Sequence, residues 1–224
     1  MYFVYDYPKK EEITEAQKAY ISNYVSDFEN ALASENFADP DLGYAKYIDV
    51  DSFIDFFILN ELSNNVDGFR LSVFLNKDRN EKLRMGPIWD FNLGFGNADY
   101  CGGGETDVWA HQFNERCEGD SLQVPFWWGR FLEDPNFVIA LQARWFQLRG
   151  GELSTATLES KIDTQIELLR ESGAIIDNFE KWPVFGMYIW PNNFVGADYN
   201  EEEAYLRDWL SNRTLWLDAA INGL

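Results

Sequence analysis

The chain has 224 residues and a net charge of −20, because 38 Asp and Glu residues outnumber 18 Lys and Arg residues. A balance this acidic repels phosphate backbones and anionic lipids, which argues against nucleic acid or a membrane surface as partner. The length suits one large domain or two small, tightly packed ones, and 17% aromatic residues can fill a sizeable core. No apolar run reaches the 18 residues of a transmembrane helix, so no transmembrane segment is predicted.

The first third of the chain predicts two helices. Thr14 and Gln17 form a capping box at the start of a segment, 13–32, with apolar residues at helical spacing. Segment 49–62 is apolar most of the way round, which predicts a central, buried helix. The Asn and Gly residues of 63–68 then suit a helix stop.

A β-hairpin is predicted next. Residues 69–76 alternate between apolar and polar side chains, which is the period of a strand. A polar turn over 77–82 leads to a returning strand over 83–89, in which Pro87 indicates an edge position or an irregular end.

The second half reads as one long loop followed by helices. The segment 97–124 is too long for an ordinary connector, and loops of this length tend to be functional or fixed by contacts with the rest of the fold. Helices are predicted to begin at Asp134, at Ser154, at Ala174 and near Asn200. Together these elements predict an α+β fold, a mostly helical lobe around a central β-hairpin.

Two aspartates converge at the open end of the predicted hairpin. If the turn centres between residues 78 and 79, Asp67 lies opposite Asp90, one before the first strand and one after the second. Two carboxylates this close repel each other unless a cation or a proton intervenes.

This arrangement favours phosphoryl transfer. Asp90 would hold Mg²⁺ on nucleotide phosphates, and Asp67 would accept the proton of the attacking hydroxyl. Asn92 and Ser72 are neutral oxygen donors that can complete the metal shell or fix the acids. Alternatively, Asp67 and Gly68 form an ordinary turn dipeptide, and Asp90 caps a turn.

The two cysteines and the single histidine limit other chemistry. Cys101 and Cys117 either form a disulfide, which implies export, or are unrelated thiols, and their shared Gly-rich loop favours the disulfide. Because no CxxC pair exists and His111 is the only histidine, a zinc site is not expected.

Other candidate contacts lie outside the pair of aspartates. Arg70 can reach a phosphate near Asp67, although alternation places it on a polar strand face, where solvation is the default. The acidic loop 97–107 is a candidate Ca²⁺ site through Asp99, Glu105 or Asp107. Three tryptophans are predicted to pack in the core, Trp145, Trp209 and Trp216, whereas two escape helical core spacing and can be surface contacts, Trp109 and Trp190.

At these residues the sequence resembles the CotH (spore coat protein H) family of atypical protein kinases. Its most specific part is GPIWDFNLGFGN (86–97), preceded by the buried helix and the Asp67–Gly68 pair. The likeness extends over most of the chain and is most similar to exported, Bacteroidetes-type members. It is carried by segments 7–32, 47–78, 86–101, 126–154 and 209–221.

The resemblance implies a distant protein-kinase-like fold that binds ATP with Mg²⁺ or Mn²⁺ and phosphorylates Ser or Thr hydroxyls of a protein substrate. It gives Asp67 the place of the catalytic-loop aspartate and Asp90 that of the metal-binding one. It also implies an exported protein, extracellular or at the cell surface. Spore-coat members tend to carry an acid at Asn92 and an asparagine at Ser72, and both differences predict weaker metal binding.

The resemblance further implies that residues 1–224 form one kinase-like domain without the nucleotide-covering lobe, that is, its C-terminal-lobe portion. No Gly-rich strand-turn-strand and no nucleotide-gripping lysine precede segment 7–32, so an incomplete ATP site is expected, which leaves the activity of this fragment open. The alternative function is a non-catalytic cell-surface or polysaccharide-binding module on the same scaffold.

Overall fold

The computed structural model describes residues 3–224 and has an α+β fold that is mostly helical. Within these residues no helix combines the length and the apolar character needed to cross a membrane. The helices are α1 (Glu15–Ala33), α2 (Val50–Ser63), α3 (Phe113–Arg116), α4 (Trp127–Leu132), α5 (Pro135–Arg149), α6 (Thr155–Glu171), α7 (Ala174–Lys181) and α8 (Tyr199–Asn222). Two short strands, β1 (Leu75–Asn76) and β2 (Arg84–Met85), form an antiparallel hairpin.

The long helices begin where their capping residues predict. The Thr14 hydroxyl accepts a hydrogen bond from the Gln17 amide at 3.3 Å, and the Gln17 side chain accepts one from the Thr14 amide at 2.9 Å. Asp134 caps α5 and Ser154 caps α6 in the same way. These side chains satisfy amides that the first helical turn leaves without a partner.

Helix α2 is the centre of the core, as its sequence predicts. Nine of its 14 residues are buried, and it packs against α5, α8 and β2. Phe53 and Phe57 are fully buried among aromatic side chains, including Trp128. The helix ends at Asn64, whose left-handed backbone (φ 45°) turns the chain toward the two aspartates.

The hairpin is shorter than predicted and its register is different. The predicted register places Leu75 opposite residue 82, whereas the structure pairs Leu75 with Met85. The prediction of a strand from residue 69 is also wrong, because the Asp67 carbonyl accepts hydrogen bonds from the amides of Arg70, Leu71 and Ser72. This local turn uses backbone amides that strand pairing would need, so no strand forms at residues 69–72.

A buried ionic cluster joins α2 to α8, and the sequence did not predict it. Glu61 and Arg213 are both fully buried, with 3.1 Å between a carboxylate oxygen and a guanidinium nitrogen. The Glu61 carboxylate also accepts hydrogen bonds from the amides of Ala110 and His111, and it contacts the His111 ring nitrogen at 2.7 Å. His111 is therefore a buried partner of Glu61 at the edge of the core.

Most of the remaining core predictions hold. Trp145 and Trp209 are buried as expected, and Trp216 is partly buried. Helix α6 lies at the surface, since Ile166 is its one buried residue and Leu169 is 40% exposed. The loop 97–124 contains a 3₁₀ turn and α3, which the sequence did not indicate.

Candidate functional site

One buried amide connects the two aspartates. Asn65 is 1% exposed, and its side-chain oxygen accepts a hydrogen bond from the Asp67 amide at 3.2 Å. Its side-chain nitrogen donates to the Asp90 carbonyl at 3.3 Å. The sequence predicts Asn65 only as part of the helix stop over 63–68. An asparagine two residues before another turn residue is the pattern of an Asx-turn, and that pattern could have identified it.

The Asp67 carboxylate lies in a mostly buried position, with its side chain 18% exposed. Burial raises the pKa of Asp67 above its ordinary value of 3.8, the Arg70 charge lowers it, and the charge of Asp90 raises it further. The Asn65 side chain contacts the main chain of both residues, so the segments that carry the two predicted acids lie together despite the altered hairpin register.

Asp90 presents its side chain to solvent from a strained backbone. Its φ of 64° lies in the left-handed region, which aspartate adopts more readily than most residues but still at a cost. The Ser72 hydroxyl donates to one carboxylate oxygen, Oδ2, at 3.2 Å. Asp90 is an exposed residue, and within residues 3–224 no hydrogen bond to its other carboxylate oxygen is formed.

Asn92 lies on the same turn as Asp90, with an exposed side chain. This turn is anchored to the end of α2, because the Phe95 amide donates to the Ser63 carbonyl at 2.6 Å. The Asn97 side chain donates to the Asn92 carbonyl at 2.8 Å and closes the turn. These contacts thus fix the backbone of the turn that carries Asn92, two residues after Asp90.

Arg70 is buried beside Asp67, and the expectation of a solvated strand face is wrong. Its side chain is 4% exposed and its guanidinium lies 4.1 Å from the centre of the Phe113 ring. It donates to Asp67 at 2.8 Å and to Asp120 at 3.1 Å. Two backbone carbonyls, those of Val66 and Leu122, accept further hydrogen bonds from it. A phosphate contact by Arg70 would therefore require the release of a present partner.

The predicted disulfide between Cys101 and Cys117 is confirmed, with 5.5 Å between the two Cα atoms. It joins the segment of Tyr100 to the segment of Asp120. Burial raises the pKa of the Tyr100 phenol, the negative charge of Asp67 raises it further, and Arg70 lowers it. The cross-link thus fixes two chain segments that both lie against the Arg70 and Asp67 pair.

The candidate site offers few ligands to a metal ion. Residues 3–224 contain no group of three or more His, Cys, Asp or Glu side chains arranged to hold one. A Ca²⁺ site in the loop 97–107 thus has no such group to support it, and the Asp99 carboxylate accepts a hydrogen bond from the Tyr188 hydroxyl. The open Asp90 oxygen, the Asn92 amide and the repulsion between the two carboxylates nevertheless fit a small, hard cation that keeps several waters.

A family model described as CotH kinase protein matches residues 1–217, a span that includes both aspartates. No curated protein matches the chain, and no solved structure matches it either.

Proposed function

Because the chain belongs to the CotH kinase family, we propose that it transfers the γ-phosphate of ATP to Ser or Thr hydroxyls of a protein substrate, with a divalent metal ion. The single observation that carries this proposal is the pairing of Asp67 and Asp90 through Asn65. This pairing supplies one carboxylate for a proton and another for a cation at the same place.

Each residue of the site has a role in this reaction. Asp67 accepts the proton of the substrate hydroxyl, and its raised pKa makes it a stronger base than an ordinary aspartate. Asp90 and Asn92 would hold Mg²⁺ or Mn²⁺, and the ion would supply positive charge against the transferred phosphate. Ser72 orients Asp90, and Arg70 orients Asp67. Ser72 thus acts on the metal site indirectly, because its hydroxyl donates to the Asp90 carboxylate and orients it.

The experiment measures transfer of label from γ-labelled ATP to acceptor proteins and to the chain itself, with Mg²⁺ and with Mn²⁺. We expect Asp67→Asn and Asp90→Asn each to lower the rate at least about 100-fold, because each removes a group required in the transition state. Glu171→Gln is the matched control, since it removes an exposed carboxylate at the end of α6. Absence of transfer by the unchanged chain, or full transfer by Asp90→Asn, would contradict the proposal.

We also propose that the protein is exported and acts outside the cell or at its surface. Structural disulfides persist in oxidising compartments, and this chain has one joining Cys101 to Cys117. Protein secreted by its native cells should resist alkylation unless it is first reduced. Free thiols at both positions in the native protein would contradict the proposal.

A further inference from the structure

An exposed run of large side chains borders the candidate site. Met187, Tyr188, Ile189 and Trp190 are each more than 40% exposed, and Trp190 is 71% exposed. Scattered exposed apolar residues are ordinary, but four in succession mark a surface for interaction.

The backbone of this run is fixed against the loop that leads to the disulfide. The Asp99 amide donates to the Pro191 carbonyl at 2.9 Å, and the Tyr188 hydroxyl donates to the Asp99 carboxylate. The Trp190 ring is stacked on the Tyr100 ring, with 6.3 Å between their centres and 18° between their planes. These contacts therefore hold Trp190 in place, and its ring remains exposed to solvent.

Tyr100 connects this face to the candidate catalytic residues. Its ring is stacked on Trp190, and the turn that follows it is bound to the segment just before Asp67, because the Asn64 side chain donates to the carbonyls of Gly102 and Gly103 at 2.9 and 3.2 Å. A peptide with its hydroxyl at Asp67 can therefore run past the Trp190 face. Two to four residues of extended chain span about 7 to 14 Å, and this is the range of spacings to test.

The charges around this surface indicate which kind of side chain it binds. Asp67, Asp90 and Asp99 lie on this side of the fold, and the whole chain carries a charge of −20. Seven cations of the described chain lie over aromatic rings, but none of these rings is Trp190. An indole face flanked by carboxylates attracts a cation from another molecule.

We propose that Trp190, stacked on Tyr100, is a specificity-determining docking position for an Arg or Lys side chain of the acceptor peptide. This inference rests on the proposed phosphotransfer, because it names what that site accepts. Trp190 takes no part in the chemical step. It adds binding energy for peptides that carry a cation about two to four residues from the acceptor hydroxyl.

The experiment uses serine peptides that differ only at one position, placed two, three or four residues from the acceptor, with Arg, Leu or Ala there. We expect Arg to raise kcat/KM about fivefold over Ala at one of these positions, and Trp190→Ala to abolish that preference. Trp190→Phe should keep part of it, and the rate on the Ala peptide should stay unchanged. Trp182→Ala is the control, because Trp182 is also exposed (59%) but lies beside Lys181 of the chain itself.

A second readout separates this inference from the proposed function. Anisotropy of a labelled Arg peptide measures binding without ATP, so binding that Trp190→Ala weakens supports the docking position even if no phosphate is transferred. Transfer with equal rates on Arg, Leu and Ala peptides would overturn the docking position and leave the kinase proposal intact. Binding of glycans at Trp190, with no peptide binding, would overturn the docking position and indicate a sugar-binding surface instead.

Discussion

Asn65 carries no charge, yet its side chain holds the backbone at both aspartates of the candidate site. Its turn contact with Asp67 has a local sequence pattern, but its contact with Asp90 does not, because that partner lies 25 positions away. Asp67, Asp90, Asn92 and Ser72 could be selected from the sequence, since acids and oxygen donors near a turn have an evident chemistry. The packed position of Arg70 could not, because the local turn at Asp67 replaced the predicted strand.

Replacement of Asn65 by Ala should impair both stability and transfer. The change leaves the Asp67 amide and the Asp90 carbonyl without their partner in a buried place, at a cost of about 2 kcal/mol in the free energy of unfolding. Phosphate transfer should fall about 10-fold or more, because the two carboxylates lose their relative position. Urea denaturation and the label assay measure the two effects. Asn212→Ala, on the exposed face of α8, should change neither, and an unaffected Asn65→Ala would contradict the bridging role.

The Ser72→Ala change should weaken metal binding and leave the stability of the fold unchanged. Without the hydroxyl the Asp90 carboxylate is free to rotate, so the Mg²⁺ concentration for half-maximal transfer should rise about 10-fold. Titration of activity with Mg²⁺ measures this shift, and Ser160→Ala on the surface of α6 is the control. An unchanged Mg²⁺ dependence would show that Ser72 does not orient a metal ligand.

Asp67→Asn should remove activity without removing stability. The pKa of Asp67 is raised in the folded state, first by burial and then by the Asp90 charge, so the folded chain holds this proton more tightly than the unfolded chain. This carboxylate therefore disfavours folding above its folded-state pKa, and the penalty disappears as the pH falls below 3.8. At neutral pH the variant should unfold at an equal or higher temperature, as calorimetry can measure. A markedly lower melting temperature would indicate a structural role for Asp67.

At the scale of elements, helices were predicted far better than the hairpin. Capping residues and apolar periodicity are local signals, and the starts of α1, α5 and α6 follow them. Strand pairing depends on a register that a nearby turn can shift, and the Asp67 turn shortened β1 to two residues. The charged contact between α2 and α8 joins residues 152 positions apart, so periodicity gave no sign of it.

The contact between Glu61 and Arg213 should be costly to break from one side. Glu61→Gln leaves the Arg213 guanidinium buried without a counter-charge, which should lower the free energy of unfolding by about 3 kcal/mol at neutral pH. Glu171→Gln, with its carboxylate in solvent, should change it by less than about 0.5 kcal/mol. Urea midpoints measure both variants, and equal midpoints would contradict the role of the cluster.

The same cluster should make stability depend on acid pH. Burial raises the pKa of Glu61, but the hydrogen bond and charge of His111 and the charge of Arg213 outweigh it and leave the pKa below its ordinary value of 4.5. A lowered carboxylate pKa stabilises the folded state above the unfolded value, and this contribution is lost as the pH falls through the folded value. The stability difference between the unchanged chain and Glu61→Gln should therefore shrink as the pH falls below 4.5.

For the molecule as a whole, the net charge of −20 is the property that follows most directly from the sequence. Acidic side chains at this density repel one another across the surface, and salt screens that repulsion. Raising the salt concentration from about 20 mM to about 500 mM should therefore raise the melting temperature, which differential scanning fluorimetry measures. A fall over the same range would indicate that attractive ion pairs, such as those of Arg207, dominate instead.

The left-handed backbone at Asp90 narrows what can replace it in relatives and in engineered libraries. Asparagine and glycine tolerate that conformation, so either should leave a folded protein without the proposed cation ligand. Glutamate keeps the charge, but its longer side chain adopts the left-handed backbone less readily. A relative with Asn at this position should therefore keep the fold and lack the proposed phosphate transfer, and one with Glu should have a different loop.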